Sequence, residues 1–241
     1  MNYRERYYAR YASVVKGVIA APTPAEADYE VAPRDTTLRG WLPADKQAAI
    51  LDLACGHGLL LWFFARRGYG NVEGVDISAE QVALARQLHP KVECANGLEF
   101  LRAKAGHYDL ILAMDIIEHL TKDEALDFLA GAWAALKPGG RLVVQTPNAA
   151  SPMRGEIYHG DFTHEVCYAP RMLGKVMTLS GFENYEAREI PPYARGLKSA
   201  VRGLLWKLLR LKIVVSNYIE TGEPGGGVYT RVFLASAIRP R

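Results

Sequence analysis

Two short stretches carry the side chains best suited to moving a proton. DIIEHL supplies Asp115, Glu118 and His119, and HGDFTHE supplies His159, Asp161, His164 and Glu165. Histidine is the side chain whose ordinary ionisation lies nearest neutral pH, so it can take a proton and return it. His164 suits a general base, and Glu165 or Asp161 suits the task of orienting it or of binding hydroxyls. The same residues equally suit a loop held down by its own hydrogen bonds.

A second kind of chemistry is written in glycine. AILDLACGHGLL places Gly56 and Gly58 between an apolar run and a helical one. Glycines there let the backbone turn tightly and let a ligand come close to it. The dinucleotide fingerprint asks for a third glycine where Leu61 stands, and no Gly-Lys-Ser/Thr follows. Nicotinamide, flavin and P-loop readings are thereby weakened. Asp76 closes the next apolar run, 18 positions beyond Gly58. An acid at that place can accept both hydrogen bonds of a ribose diol, or serve as a turn aspartate.

LDLACGHG, GVDIS, YDLILAMDIIEHL and LKPGGRLVVQTPN follow one another in that order. Across roughly residues 46–150 they resemble the successive motifs of class I S-adenosylmethionine-dependent methyltransferases. The resemblance implies an α/β, doubly wound, Rossmann-like sheet of seven strands in the order 3-2-1-4-5-7-6, mostly parallel with strand 7 antiparallel. It implies that Asp52, Ala54, Cys55, Gly56 and Gly58 form the loop under the methionine part of the cofactor. Asp76 would hold the ribose, Ile77 would lie against the adenine, and Asn96, Gly97 and Leu98 would sit by the adenine amine. Many members have aspartate where Asn96 stands. Met114 and Asp115 would approach the methionine end.

The resemblance also bears on the acceptor. Attack on a sulfonium methyl needs an aligned acceptor and, for a hydroxyl, somewhere for its proton to go. His164, Glu165, Asp161 and His119 are the catalytic candidates. GDFTHE, with TPNA upstream, looks like methyltransferases of bacterial polysaccharide and cell-surface glycan pathways. Asp115, Glu118 and His119 resemble the acidic-histidine cluster of ubiquinone-type O-methyltransferases, some of which use a divalent ion; no metal is assigned on the sequence. The expectation is O-methylation of a glycan or glycolipid hydroxyl. A small phenol or polyprenyl quinone is the alternative, and a catalytically silent cofactor-binding module is a rival of another class.

The elements that must position these groups can be read from the same 241 residues. Runs 48–55, 72–78, 91–96, 108–117 and 141–148 read as strands separated by helices, with Ser78 and Thr121 or Lys122 at helix starts. Apolar strands alternating with helices mean a parallel sheet covered on both faces. Runs 184–190 and 227–238 read as a last pair with an antiparallel end. Tyr and Val spacing predicts a helix over 2–19, Pro-rich 21–35 reads as a loop, and 151–170 as another. The domain plan is a cap over 1–45 and one domain over 46–241, with a basic amphipathic insertion at about 192–217.

That insertion has no acid between Glu189 and Glu220. Its basic residues over 195–212, on a helix with a leucine-rich face, suit peripheral membrane contact, a lid or an oligomer contact. A net charge of +3 argues against nucleic acid. Three widely spaced cysteines argue against a disulfide framework and fit a reducing cytoplasm, at the inner face of the membrane if the insertion touches lipid.

Overall fold

A computed structural model describes residues 3–241. Seven strands form one sheet: β1 (Ile50–Leu53), β2 (Val72–Asp76), β3 (Val92–Cys94), β4 (Tyr108–Met114), β5 (Leu136–Pro147), β6 (Glu183–Glu189) and β7 (Val232–Ile238). Their order is β3-β2-β1-β4-β5-β7-β6, as the motifs implied. β1 to β5 pair in parallel, and β7 runs antiparallel to both β5 and β6.

The strands are apolar because both faces are covered. In β4, Leu110 and Leu112 point into one core, while Ile111 and Ala113 point into the other. The first core is completed by Leu60, Leu61, Phe63 and Phe64 around α4 (Leu59–Arg66) and by Val82 and Ala85 of α5 (Ala79–Leu88). The second takes Phe100 and Leu101 of α6 (Gly97–Arg102), Phe128 and Leu129 of α7 (Lys122–Ala135), and Leu173 and Met177 of α9 (Pro170–Leu179). Ser78 caps α5 and Thr121 caps α7, the latter in a capping box with Glu124.

Three local expectations change. The helix expected over 2–19, whose first residue lies outside the described ones, is α1 (Tyr3–Tyr8) followed by a wide turn over Tyr11–Lys16. Its tyrosines pack on a distant loop instead of along a single helical face. The Pro-rich stretch is mostly helical: α2 (Pro24–Val31) starts on a Thr23–Glu26 capping box with Pro24 in its first turn, where a missing N–H costs nothing. The short α3 (Arg34–Thr37) follows. Val31, Leu38 and Trp41 belong to the first core, so this region packs on the sheet. Within the expected loop 151–170 lies one short helix, α8 (Gly155–His159). Between β6 and β7 runs α10 (Leu197–Thr221).

The excursion between β5 and α9 is closed at its base. Asn148 is fully buried and bridges in parallel to Tyr168. Its Nδ2 donates to the carbonyls of Val228 and Thr230, at 3.0 and 2.9 Å.

Candidate active site

At the C-terminal ends of β1 and β2 the backbone takes conformations that a ligand-binding loop requires. Ala54, Gly56 and Gly58 all have positive φ, at 58°, 54° and 89°. Gly58 has a second reason to be glycine: a Cβ there would lie 3.0 Å from Cα and Cβ of Ala85 on α5. Gly97 likewise seats closely on Leu53, whose Cδ1 would be 3.0 Å from an added Cβ.

Asp76 ties this loop to the next. Its carboxylate accepts the Gly56 N–H at 2.9 Å and the Ser78 N–H at 2.8 Å. Burial raises its pKa, and those N–H groups oppose the rise. Ile77, next along and just past the end of β2, is 53% exposed, which leaves it free to cover a flat ring. Asn96 caps α6, its Oδ1 accepting from Leu98 N at 2.9 Å and Glu99 N at 3.4 Å. Its carbonyl is therefore engaged by the helix, and only its amide N–H groups stay free for a ligand.

The region expected to meet the methionine end carries more charge than sequence reasoning anticipated. Asp52 is buried beside Gly74 of β2 and Leu112 of β4. Burial and then the Asp76 charge push its pKa up to about 8, against the pull of Arg34. Arg34 donates to Gln145 Oε1 at 2.8 Å, and Gln145 Nε2 donates to Asp115 Oδ2 at 2.7 Å. Asp115 has φ 54°, a strained value for a non-glycine residue at the end of a strand. Met114 is half-buried beside it. Arg34 was missed because it lies in the Pro-rich stretch with no motif around it.

A cofactor with an adenosyl group fits these residues on structural grounds. The Gly56–Gly58 backbone forms a cradle, and Gln81 Oε1, buried 3.9 Å from where a Gly56 Cβ would be, has no hydrogen-bond partner among the described residues. Arg34 would face a carboxylate, and Asp52 and Asp115 an ammonium or sulfonium. Cys55 is buried and faces Gly74, so its part is packing.

The acceptor side is built on the short turn Ile117–His119 after β4. The Glu118 carbonyl accepts the N–H groups of Glu165 and Val166, at 2.7 and 3.2 Å, which lashes the GDFTHE loop onto this turn. His119 and His164 face each other with ring centroids 4.7 Å apart.

Their hydrogen bonds dictate their tautomers. Thr163 Oγ1 donates its only proton to Asp161 Oδ1, at 2.7 Å. His119 Nδ1, 2.7 Å from the same oxygen, must then be the donor. His164 Nδ1 lies 2.7 Å from the Tyr158 carbonyl and must donate too. Both Nε2 atoms are thus left with bare lone pairs. One ligand atom from each of Glu118, His119 and His164 falls within 4.8 Å of the others. Glu118 Oε2 accepts from Thr146 Oγ1 at 3.0 Å, and burial followed by the Asp115 charge raises its pKa well above the carboxylate range. Burial, then the neighbouring His164, lowers His119 to about 4.

The other predicted residues divide between the two walls. Asp161 orients His119 through Thr163 and also accepts from Tyr7 at 3.2 Å, rather than orienting His164. Glu165 accepts from Tyr3 and pairs with Arg4 at 3.6 Å, so it anchors α1 and does not touch His164. His159 meets the Tyr158 ring edge-on, with centroids 5.0 Å apart, while it is His164 that stacks on Tyr158. Thr163 was missed because a threonine between Asp161 and His164 carries no signal of its own. Tyr3, Tyr7, Tyr8 and Tyr11 form with Phe162 an aromatic wall above the histidines.

Comparison with known proteins agrees with this geometry. Residues 25–187 match the family described as a methyltransferase domain. A ubiquinone biosynthesis O-methyltransferase of Bradyrhizobium sp. (strain ORS 278) is 40% identical over 106 residues, 41% of this chain and 40% of that protein. Its namesake in Coxiella burnetii (strain Dugway 5J108-111) is 32% identical over 105 residues, 41% of this chain and 43% of that protein. The chain thus spans about two fifths of the length of the curated relatives it matches. A SAM-dependent methyltransferase structure from Archaeoglobus fulgidus superposes with a TM-score of 0.65 at 17% identity, covering 96% of this chain and 99% of that one. A Haemonchus contortus phosphoethanolamine N-methyltransferase 2 in complex with S-adenosylhomocysteine gives 0.60 at 16%, covering 95% of this chain and 56% of that one. With a methyltransferase-domain match over residues 25–187 and a sheet of this order, the chain belongs to the class I S-adenosylmethionine-dependent methyltransferases.

Proposed function

We propose that the protein transfers a methyl group to the hydroxyl of an aromatic acceptor, a small phenol or a polyprenyl quinone precursor. The observation that carries this reading is the pair of histidine rings 4.7 Å apart after β4, each with its Nδ1 committed to donating and its Nε2 free to accept, beside the tyrosine wall. Bound S-adenosylmethionine supplies a methyl on a sulfonium, whose sulfur leaves with the electron pair of the broken C–S bond. His164 Nε2 takes the acceptor's proton as its oxygen becomes the nucleophile. His119 Nε2, held neutral by burial, accepts a hydrogen bond from a second, neighbouring hydroxyl of a catechol-type acceptor and so aligns its ring.

Sequence reading put a glycosyl hydroxyl ahead of an aromatic one. The curated relatives named for ubiquinone biosynthesis favour the aromatic acceptor, and the wall of Tyr3, Tyr7, Tyr8 and Phe162 offers flat apolar surface for a ring. Methyl transfer followed by mass spectrometry, with catechols and prenylated phenols set against glycan acceptors, decides between them. Transfer to glycans alone would restore the glycosyl reading. Cofactor binding with no transfer to either would favour a silent module.

The donor set of Glu118, His119 and His164 also fits a divalent cation, which would polarise the acceptor oxygen. Sequence reading assigned no metal. Full activity after exhaustive chelation keeps the histidine pair as the base, and loss that is restored by a divalent ion assigns the cluster to metal.

A further inference from the structure

The helix α10 turns its apolar side away from the protein. It is 25 residues long, and none of its side chains is buried. One edge is fastened: Arg210 pairs with Glu189 at 3.2 Å and donates to the Gly227 carbonyl at 3.1 Å. At 100° per residue, Trp206, Ile213, Val214 and Asn217 fall on the same side as Arg210, and all are half-buried. The opposite side carries Val201, Leu204, Leu205, Leu208, Leu211 and Ile219, exposed by 47% to 82%. An amphipathic helix that only covered its own domain would show the reverse arrangement.

Charge decides what fits this face. Lys198, Arg202 and Lys207 border the apolar stripe and Lys212 rises from within it, and none of the four forms an ion pair among the described residues. The chain has no acid from residue 190 to residue 219, so a second copy laid on this face would set cation against cation. A partner that wraps a helix is hindered as well, because the Arg210 side is held to the domain. What remains is a half-cylinder, apolar along its crest and cationic along its shoulders, which suits a flat anionic surface. No helix of the described residues is long and apolar enough to cross a membrane. We propose that α10 docks the protein on an anionic lipid bilayer, lying in the plane of the interface with Leu204, Leu205 and Leu208 inserted and its lysines and arginine at the headgroups.

The test is co-sedimentation of the full chain with vesicles of phosphatidylcholine mixed with phosphatidylglycerol, beside pure phosphatidylcholine. Binding is expected to the anionic vesicles, to weaken as salt rises, and to be slight on neutral ones. K198E/R202E/K207E should lower partitioning at least roughly a hundredfold, at about fivefold or more per charge. Leu205→Ser with Leu208→Ser should weaken binding even at low salt. Arg210 is left intact because it holds Glu189. Thermal shift with S-adenosylmethionine verifies that each variant is folded. Absence of wild-type binding to anionic vesicles, or binding indifferent to charge reversal, overturns the proposal. So does a dimer, by light scattering, that Leu205→Ser dissolves.

Discussion

The two sides of the active site are made in different ways. The cofactor side is backbone held by a sheet: Gly56, Gly58 and Asp76 stand at the ends of neighbouring parallel strands, and Asp76 bonds main-chain N–H groups. The acceptor side, beyond the backbone bonds at Glu118, relies on side chains bound to side chains across long stretches of sequence, as in Tyr7 to Asp161 and Arg4 to Glu124, at 2.6 Å in the second case. The first inherits its precision from the fold. The second depends on a few replaceable contacts, so single substitutions there should alter turnover while leaving cofactor binding alone.

The largest expected effect tests that separation directly. His164→Ala should lower turnover by about 10²–10⁴-fold, with the cofactor dissociation constant unchanged by calorimetry. A parallel loss of cofactor affinity would show that the sides are not independent. The converse is Asp76→Ala, which removes an acceptor of two backbone N–H groups. It should weaken cofactor binding by at least about a hundredfold, since two hydrogen bonds to a charged group at about 1.5–3 kcal/mol each amount to about 3–6 kcal/mol. The protein should remain folded by circular dichroism.

Thr163→Val gives a smaller change of a more diagnostic kind. It strips His119 of the acceptor that sets its tautomer. Turnover should fall about tenfold, the size of one lost hydrogen bond, while the KM for cofactor stays constant. Thr163→Ser should restore the rate. A merely structural threonine would be tolerant of valine, which has nearly the same shape.

The smallest effect is a proton count. Asp52, pushed up to about 8, is mostly protonated at pH 7 before the cofactor arrives. A cationic ligand favours its charged form, so binding should release a proton, approaching one per cofactor at pH 7 and vanishing well above pH 8. Calorimetry in buffers of different protonation enthalpy measures this. No release at pH 7, or the same release from Asp52→Asn, would remove Asp52 from the methionine end.

What could be read from the sequence follows the same division. The glycine loop, Asp76 and the succession of strands were legible because each depends on local spacing: a turn, a strand end, an alternation of apolar runs; the order of the strands in the sheet came from the family resemblance alone. Arg34 was not, since one arginine 16 residues before Ile50 reaches the site only through the packing of α2 and α3 on the sheet. Glu165 or Asp161 was expected to orient His164 or to bind hydroxyls, whereas the loop folds Thr163 between Asp161 and His119 and turns Glu165 toward Tyr3. Tyrosine spacing over 2–19 did mark a helix, but Tyr7, Tyr8 and Tyr11 pack together, and Tyr7 on Phe162 as well, so they obey tertiary contacts and not one continuous helical face.

The bridge between Asn148 and Tyr168 gives the chain room to change over generations. It pinches the excursion off where it leaves the sheet, and Asn148 is secured from the β7 side by Val228 and Thr230. Residues between the two ends can lengthen, shorten or be exchanged while the strands on either side keep their register, since loop length alone costs little. The GDFTHE segment lies inside that closed loop. Descendants of this chain can therefore acquire new acceptors by rewriting one excursion, and keep the methyl donor they already have.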